Sequence, residues 1–381
     1  LVADACWLGL CAGLCRIVDK ECDLKRMLAP VAISDFYMPL VVVIGLVILY
    51  STSAYNGQVK FHDSFYYLKK QAFATVLGIV LMLFVAGMDY HIWQRLAVFG
   101  YLAAVALSVA VMLFGREING SKRWLALGPF SFQPSEFAKV ALILFLADLV
   151  TKNVKTIGKM WTLCRIMFWI LPIVGLVGAS NLSTAIIILG IGVILIFVAS
   201  PKYAQFALMG IAGACFMGIF LALESYRLER LAIWRNPEKY EKGYQTLQGL
   251  YAIGSGGVFG VGIGNSVQKL GFVPEAQNDM IFSIICEELG LAGAGIIVFL
   301  FLLLIWRFFL IASGSRDLFG ALIATGAMAH MMIQVILNIA VVTNTIPNTG
   351  ITLPFISYGG TSVMFLLIEM GLVLSVSQVV D

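Results

Sequence analysis

GFVPEAQNDMIFSIICEELGLAGAGIIVFLFLLLIW, residues 271–306, runs from a polar segment straight into a long apolar one. From Ile281 onward the only charges are Glu287 and Glu288, and the run exceeds the roughly 20 apolar residues that a helix needs to cross a bilayer. No period of two runs through it, and backbone left unpaired cannot face lipid, so the stretch reads as a membrane-spanning helix rather than a barrel strand. An ionisable side chain at this depth costs about 2.5 kcal/mol or more. Glu287 and Glu288 are therefore read as paired, either through a hydrogen bond to a neighbouring helix or in a direct role.

The same reading extends over the chain. Apolar runs near 36–53, 72–88, 96–114, 137–150, 166–179, 183–199, 203–223, 319–344 and 362–380 bring the expected number of spans to about ten, which predicts an all-α polytopic membrane protein. The 381 residues are 60% hydrophobic and 12% charged, with a mean hydropathy of +0.95, well above the roughly 45–50% apolar usage of soluble domains. A net charge of +4, scattered along the chain, gives no basis for nucleic-acid binding. The seven cysteines lack CxxC pairing and the three histidines lack HExxH spacing, so the cysteines read as reduced packing residues and a histidine metal site is not expected.

Lys152, Lys155, Lys159 and Arg165 crowd one short connection, and Arg307 and Arg316 flank another on the same side, which marks that side as cytoplasmic. The long connections 115–136 and 224–280, with 345–361, then lie outside. They carry Arg116, Lys122, Arg123, Arg227, Arg230, Arg235, Lys239, Lys242 and Lys269. Loops of this size cross regardless of charge; the alternative is an anionic ligand at the outer face. Residues 1–34 read as a separate cytoplasmic segment, either an interfacial helix or a processing remnant.

Several polar positions sit where these loops meet spans. Asp279 enters a span from the second long loop, placed either to cap the helix or, partly desolvated, to act as a base. Glu136 and Lys139 share a helix face at i, i+3, as a self-neutralising pair or with Lys139 turned to a cavity and a phosphate. Gln133, Gln334 and Asn338 are further supporting positions. Glycines in AIGSGGVFGVGIGNS, residues 252–266, let backbone turn and approach closely at the membrane surface. Pro347, Gly350, Pro354, Gly359 and Gly360 interrupt residues 344–362, which predicts a re-entrant or surface loop lining a pocket.

NGSKRWLALGPFSFQPSEFAK, GYQTLQGLYAIGSGGVFGVGIGNS, VPEAQNDMIFSIICEELG and IPNTGITLPFISYGGTS together resemble the signature segments of the SEDS family of shape, elongation, division and sporulation proteins, from about Asp35 to the end. The wording of the last two segments leans toward the FtsW and SpoVE branch. Asn181, and Gln277 with Asn278, depart from the residue types frequent at those family positions. The resemblance implies a peptidoglycan glycosyltransferase of the bacterial plasma membrane. Such an enzyme polymerises lipid II on the outer face, beside a class B penicillin-binding protein and other elongasome or divisome membrane proteins. Under it Asp279 is the essential acidic residue and Glu136 with Lys139 the paired charges. Arg123, Lys139, Arg227 and Arg230 would hold the polyprenyl pyrophosphate that carries the glycan, Ser357 and Tyr358 would hydrogen-bond sugar or phosphate, and a divalent cation, Mg or Mn, would share the charge. The competing readings are a lipid II flippase and a noncatalytic scaffold.

Overall fold

The computed structural model describes residues 37–118, 121–127, 130–200, 202, 205–207, 210 and 232–379. The expected segment 1–34, most of the span at 203–223, and both Arg227 and Arg230 lie outside the described residues. Among the described residues ten α-helices have both bounds in view: α1 Tyr37–Phe61, α2 Tyr66–Ala86, α3 Tyr90–Phe114, α4 Pro134–Asn153, α5 Met160–Ser180, α6 Leu182–Ala199, α7 Tyr244–Ser255, α8 Ile281–Gly314, α9 Leu318–Val342 and α10 Gly360–Ser377. Among the described residues eight of these are long and apolar enough to cross a membrane, all but α4 and the short α7. At 20 residues α4 is as long as several of them, but carries Glu136, Lys139, Asp148 and Lys152. The chain is a multi-pass membrane protein.

Helix starts follow local chemistry. Pro134 occupies the first turn of α4, where its missing N–H costs nothing, and Glu136 stands in the same turn, favoured by the positive end of the helix. The Asn181 side chain accepts from Thr184 N–H at 3.3 Å and so caps α6. Among the eight membrane-crossing helices α9 is the most deeply buried, packed on α4, α6, α8 and α10.

Two regions differ from the expected outline. The first long loop is not simply irregular: β1 Arg116–Ile118, β2 Ser121–Leu127 and β3 Phe130–Phe132 form an antiparallel meander, with Arg116 opposite Trp124 and Leu125 opposite Phe132. Pairing strand to strand satisfies backbone that has no helix to join. The second long loop does not stay at the surface, for α7 runs in beside the first turns of α8. Beyond it Val261 N–H donates to the Glu287 carbonyl at 3.0 Å and Gly262 N–H to that of Glu288 at 2.9 Å, while Leu291 and Ala292 N–H donate to the Gly257 and Val258 carbonyls, each at 3.0 Å.

These bonds meet where α8 is broken. Gly290 has φ 68° and ψ −172°, so the helix loses its own pairing there, roughly 15 Å in from its start, and the glycine-rich loop replaces it. A Cβ on Gly290 would stand 2.4 Å from both the Gly260 nitrogen and the Val258 oxygen. Gly290→Ala is therefore expected to lower stability by about 2–4 kcal/mol, through both a disfavoured φ and a backbone clash. Thermal melting of the purified protein in detergent checks this, and an unshifted midpoint would count against the tight crossing.

Candidate active site

A cavity of about 1180 Å³ opens at the end of the bundle away from the basic α4–α5 connection. The N-terminal turns of three helices line it, with Glu136 of α4, Leu182 to Thr184 of α6 and Gly360 to Ser362 of α10, while Asn278 and Asp279 stand just ahead of α8. A helix N-terminus carries about half a positive charge, so the convergence of three favours an anion. Trp124, Ser131 and Phe132 of the meander, Trp234, Gln245 of α7, and Asn348 to Thr352 complete a mixed wall; Phe73, Leu77 and Met364 make an apolar side between α2 and α10.

Glu136 and Lys139 lie deep in this cavity, 6% and 2% exposed, joined at 3.0 Å. Ser362 Oγ donates to Glu136 Oε2 at 2.9 Å, and Lys139 Nζ reaches Gln334 Oε1 at 3.4 Å. The pair is therefore both self-neutralising and open to the cavity. Arg123 Nε donates to the Ser180 carbonyl at 3.1 Å, which ties the meander to α5 and brings the guanidinium to the cavity wall. Gln133 lines the wall just ahead of α4, its amide donating to Ser135 Oγ at 3.1 Å.

Asp279 is half-buried and does not cap α8. Its Oδ1 receives a weak bond from Gln245 Nε2 at 3.4 Å, and its main-chain carbonyl accepts from Asn338 Nδ2 at 2.9 Å. Gly350, at φ 68°, faces its other oxygen; a Cβ there would come within 3.7 Å of Oδ2. Burial raises the Asp279 carboxyl to about 6, helped by the nearby charge of Glu275 and opposed by backbone N–H groups and Gln245. Burial likewise pushes the Tyr358 phenol up to about 12, so this cavity-lining hydroxyl remains a neutral donor.

Ser357 is placed differently from the sequence expectation. It is buried and not part of the cavity wall: its hydroxyl accepts from Leu353 N–H at 2.8 Å and its carbonyl from Gln71 Nε2 at 3.2 Å, so it seals the 344–359 loop instead. Glu287 and Glu288 are supporting residues. Lys269 Nζ pairs with Glu288 Oε1 at 2.6 Å and Ser51 Oγ donates to the same carboxylate, while Glu287 accepts from Ser266 Oγ and from Val267 N–H at 3.0 Å. Lys269 is thus consumed inside the bundle and does not serve an external anion. Sequence reasoning missed Gln245, whose oxygen accepts from Asn348 at 3.1 Å while its nitrogen holds Asp279, and also His330 and Glu369, a buried pair with 2.7 Å between them. Among the described residues no three of His, Cys, Asp or Glu gather as metal ligands.

With this geometry in view, the model for the FtsW, RodA and SpoVE proteins, described as cell cycle proteins, matches residues 33–381. The chain belongs to this family. Stage V sporulation protein E of Bacillus subtilis is 40% identical over 89% of the chain and 94% of that protein. A probable peptidoglycan glycosyltransferase FtsW of Trichlorobacter lovleyi is 34% identical over 94% of the chain and 93% of its own length. Among solved structures, one reported for the coordination of polymerization and crosslinking by a peptidoglycan synthase complex superposes with a TM-score of 0.77 at 29% identity, covering 90% of this chain and 96% of that one. The rod shape determining protein RodA of Thermus thermophilus does so at 0.67 and 29%, covering 90% and 95%. The family match thus takes in every described residue.

The buried ion pair makes a prediction of its own. Lys139→Ala strands the Glu136 carboxylate and is expected to cost roughly 3–5 kcal/mol of stability, whereas Glu136→Gln with Lys139→Met recovers most of it. Thermal melts of the three proteins decide this, and equal midpoints for the single and double variants would contradict the buried pair.

Proposed function

We propose that this chain polymerises peptidoglycan, transferring a growing glycan from its polyprenyl pyrophosphate to the 4-hydroxyl of the N-acetylglucosamine of lipid II. The observation that carries this reading is a half-buried carboxylate, Asp279, held near pKa 6 in the same cavity as the buried cation Lys139 and three helix N-termini. A base and an anion site share one chamber, as glycosyl transfer with a diphosphate leaving group requires.

Asp279 takes the proton of the acceptor hydroxyl as its oxygen attacks the donor's anomeric carbon from the face opposite the leaving group. The C–O bond to pyrophosphate breaks, giving a β-1,4 link with inversion. The charge that appears on the departing diphosphate is met by Lys139, Arg123 and the N–H groups at the starts of α4, α6 and α10. Asn278 Oδ1, Thr349 Oγ1 and Thr361 Oγ1, buried in the cavity wall without a partner among the described residues, supply hydrogen bonds for sugar hydroxyls. The apolar flank of Phe73, Leu77 and Met364 suits the polyprenyl chain. A Mg or Mn ion would be held by the substrate's phosphates and one cavity carboxylate, as Mg commonly is, adding positive charge at the diphosphate.

In this reading the membrane is the bacterial plasma membrane and the cavity faces outward, opposite the Lys152 to Arg165 connection. The partner is a class B penicillin-binding protein that crosslinks the product; its support is the likeness to a synthase complex that couples polymerization to crosslinking. Relatives named for sporulation and for FtsW favour that branch.

Asp279→Asn is expected to reduce polymerisation of labelled lipid II at least about 100-fold while the protein remains folded. Because the folded carboxyl lies at about 6 rather than 3.8, the native state is favoured with Asp279 protonated, and that contribution is lost as pH rises through 6. The asparagine variant should therefore melt no lower than the parent at neutral pH. Wild-type polymer from it would refute the assignment.

The pH profile follows from the same value. As the base must be ionised, kcat/KM should climb as pH rises through about 6 and level off above. A rate that instead falls across that interval would exclude Asp279 as the base.

A further inference from the structure

Besides Lys269 and Glu288, the proposed reaction leaves a second buried ionisable pair unused. His330 of α9 and Glu369 of α10 are 2% and 1% exposed. His330 Nδ1 lies 2.7 Å from Glu369 Oε2, and its Nε2 lies 2.8 Å from Gln334 Oε1. Both ring nitrogens therefore face oxygens.

The Gln334 amide has only one workable orientation. Its Nε2 donates to the Thr352 carbonyl at 3.0 Å, which leaves Oε1 as the atom facing both His330 and Lys139. An acceptor at that position requires His330 to carry a proton on Nε2; a second proton then lies between Nδ1 and Glu369. Without a donor at Nε2 the amide keeps its bond to Thr352 and the long 3.4 Å contact with Lys139 but loses the shortest bond on its oxygen side. Rotated by half a turn, it would aim an NH₂ at the Lys139 ammonium and an oxygen at the Thr352 carbonyl, two repulsive contacts.

Lys139 bears three N–H donors. Glu136 and Gln334 take two, at 3.0 and 3.4 Å, so the third is left for a ligand in the cavity that Lys139 lines. The same Gln334 amide secures Thr352, two residues from the Gly350 that faces Asp279.

We propose that His330, backed by Glu369, is a positioning residue: by donating to Gln334 it orients the amide that holds Lys139 toward the pyrophosphate of the donor. Neither side chain lines the cavity, so neither touches substrate. The inference rests on reading the cavity as a pyrophosphate site.

Two variants of similar polarity and different reach test it. His330→Gln places an amide nitrogen near the position of Nε2 and can still donate to Gln334; His330→Asn places its amide near Nδ1, can bond Glu369, and falls short of Gln334. Binding of undecaprenyl pyrophosphate to the full chain in nanodiscs, and polymerisation of lipid II, are measured for both, alone and in the Glu136→Gln/Lys139→Met background. The expected result is a roughly tenfold to hundredfold loss of pyrophosphate affinity for His330→Asn, with His330→Gln recovering most of it. In the background without Lys139 the two variants should bind alike, because the coupling runs through that side chain. Equal affinities for the two variants in the parent, whether high or low, would overturn the proposal, as would a difference that persists when Lys139 is gone. Should the parent bind pyrophosphate in this pattern yet make no polymer, the polymerase reading fails and the positioning role stands.

Discussion

Two stretches of non-helical backbone, 256–270 and 343–359, enter a bundle surrounded by hydrocarbon, and the site depends on how their polar groups are satisfied without water. Unpaired peptide groups in such surroundings cost several kcal/mol each. The first stretch is paired to the broken turn of α8 and clamped by Glu287 and Glu288. The second is held by Gln71, Gln334 and Asn338, whose side chains bond the backbone of Ser357, Gly359, Thr352 and Ile351. Sealed in this way, irregular backbone can bring Gly350 up to Asp279 and open a polar chamber inside an apolar fold.

The α9 helix shows why sealing and chemistry are hard to separate. His330, Gln334 and Asn338 recur every four residues and so occupy one face. Asn338 bonds the backbone carbonyls of Asp279 and Ile351, while Gln334 bonds Lys139, His330 and Thr352. One stripe therefore fixes the carboxylate, the buried cation and the loop between them. A chamber that must hold a base and an anion site in register gains from having both referred to a single rigid helix.

Part of the site was legible along the chain, because its signals are local. Asp279 stands where a polar loop meets an apolar run, Glu136 and Lys139 are one helical turn apart, and the Pro and Gly positions of 344–362 forbid a plain helix. What was not legible required partners far away in sequence. Lys269 read as an outward cation until Glu288 and Ser51 enclosed it. Ser357 read as a ligand donor, but its hydroxyl closes its own loop onto Leu353. His330 and Glu369 sit in apolar runs with no motif to mark them; only the packing of α9 on α10 makes them a pair.

By itself the sequence determined that the chain is a bundle of membrane helices, where several of them begin, and to which family it belongs. Those follow from apolar run length, helix-start chemistry and motif wording, all properties of neighbouring residues. Tertiary structure alone decided which helix N-termini share a cavity, that α7 descends beside α8 to a break at Gly290, and which buried charges face substrate and which face one another. The reason is that burial makes each unpaired polar group expensive, and whether a given group has a partner is settled only when segments hundreds of residues apart come into contact.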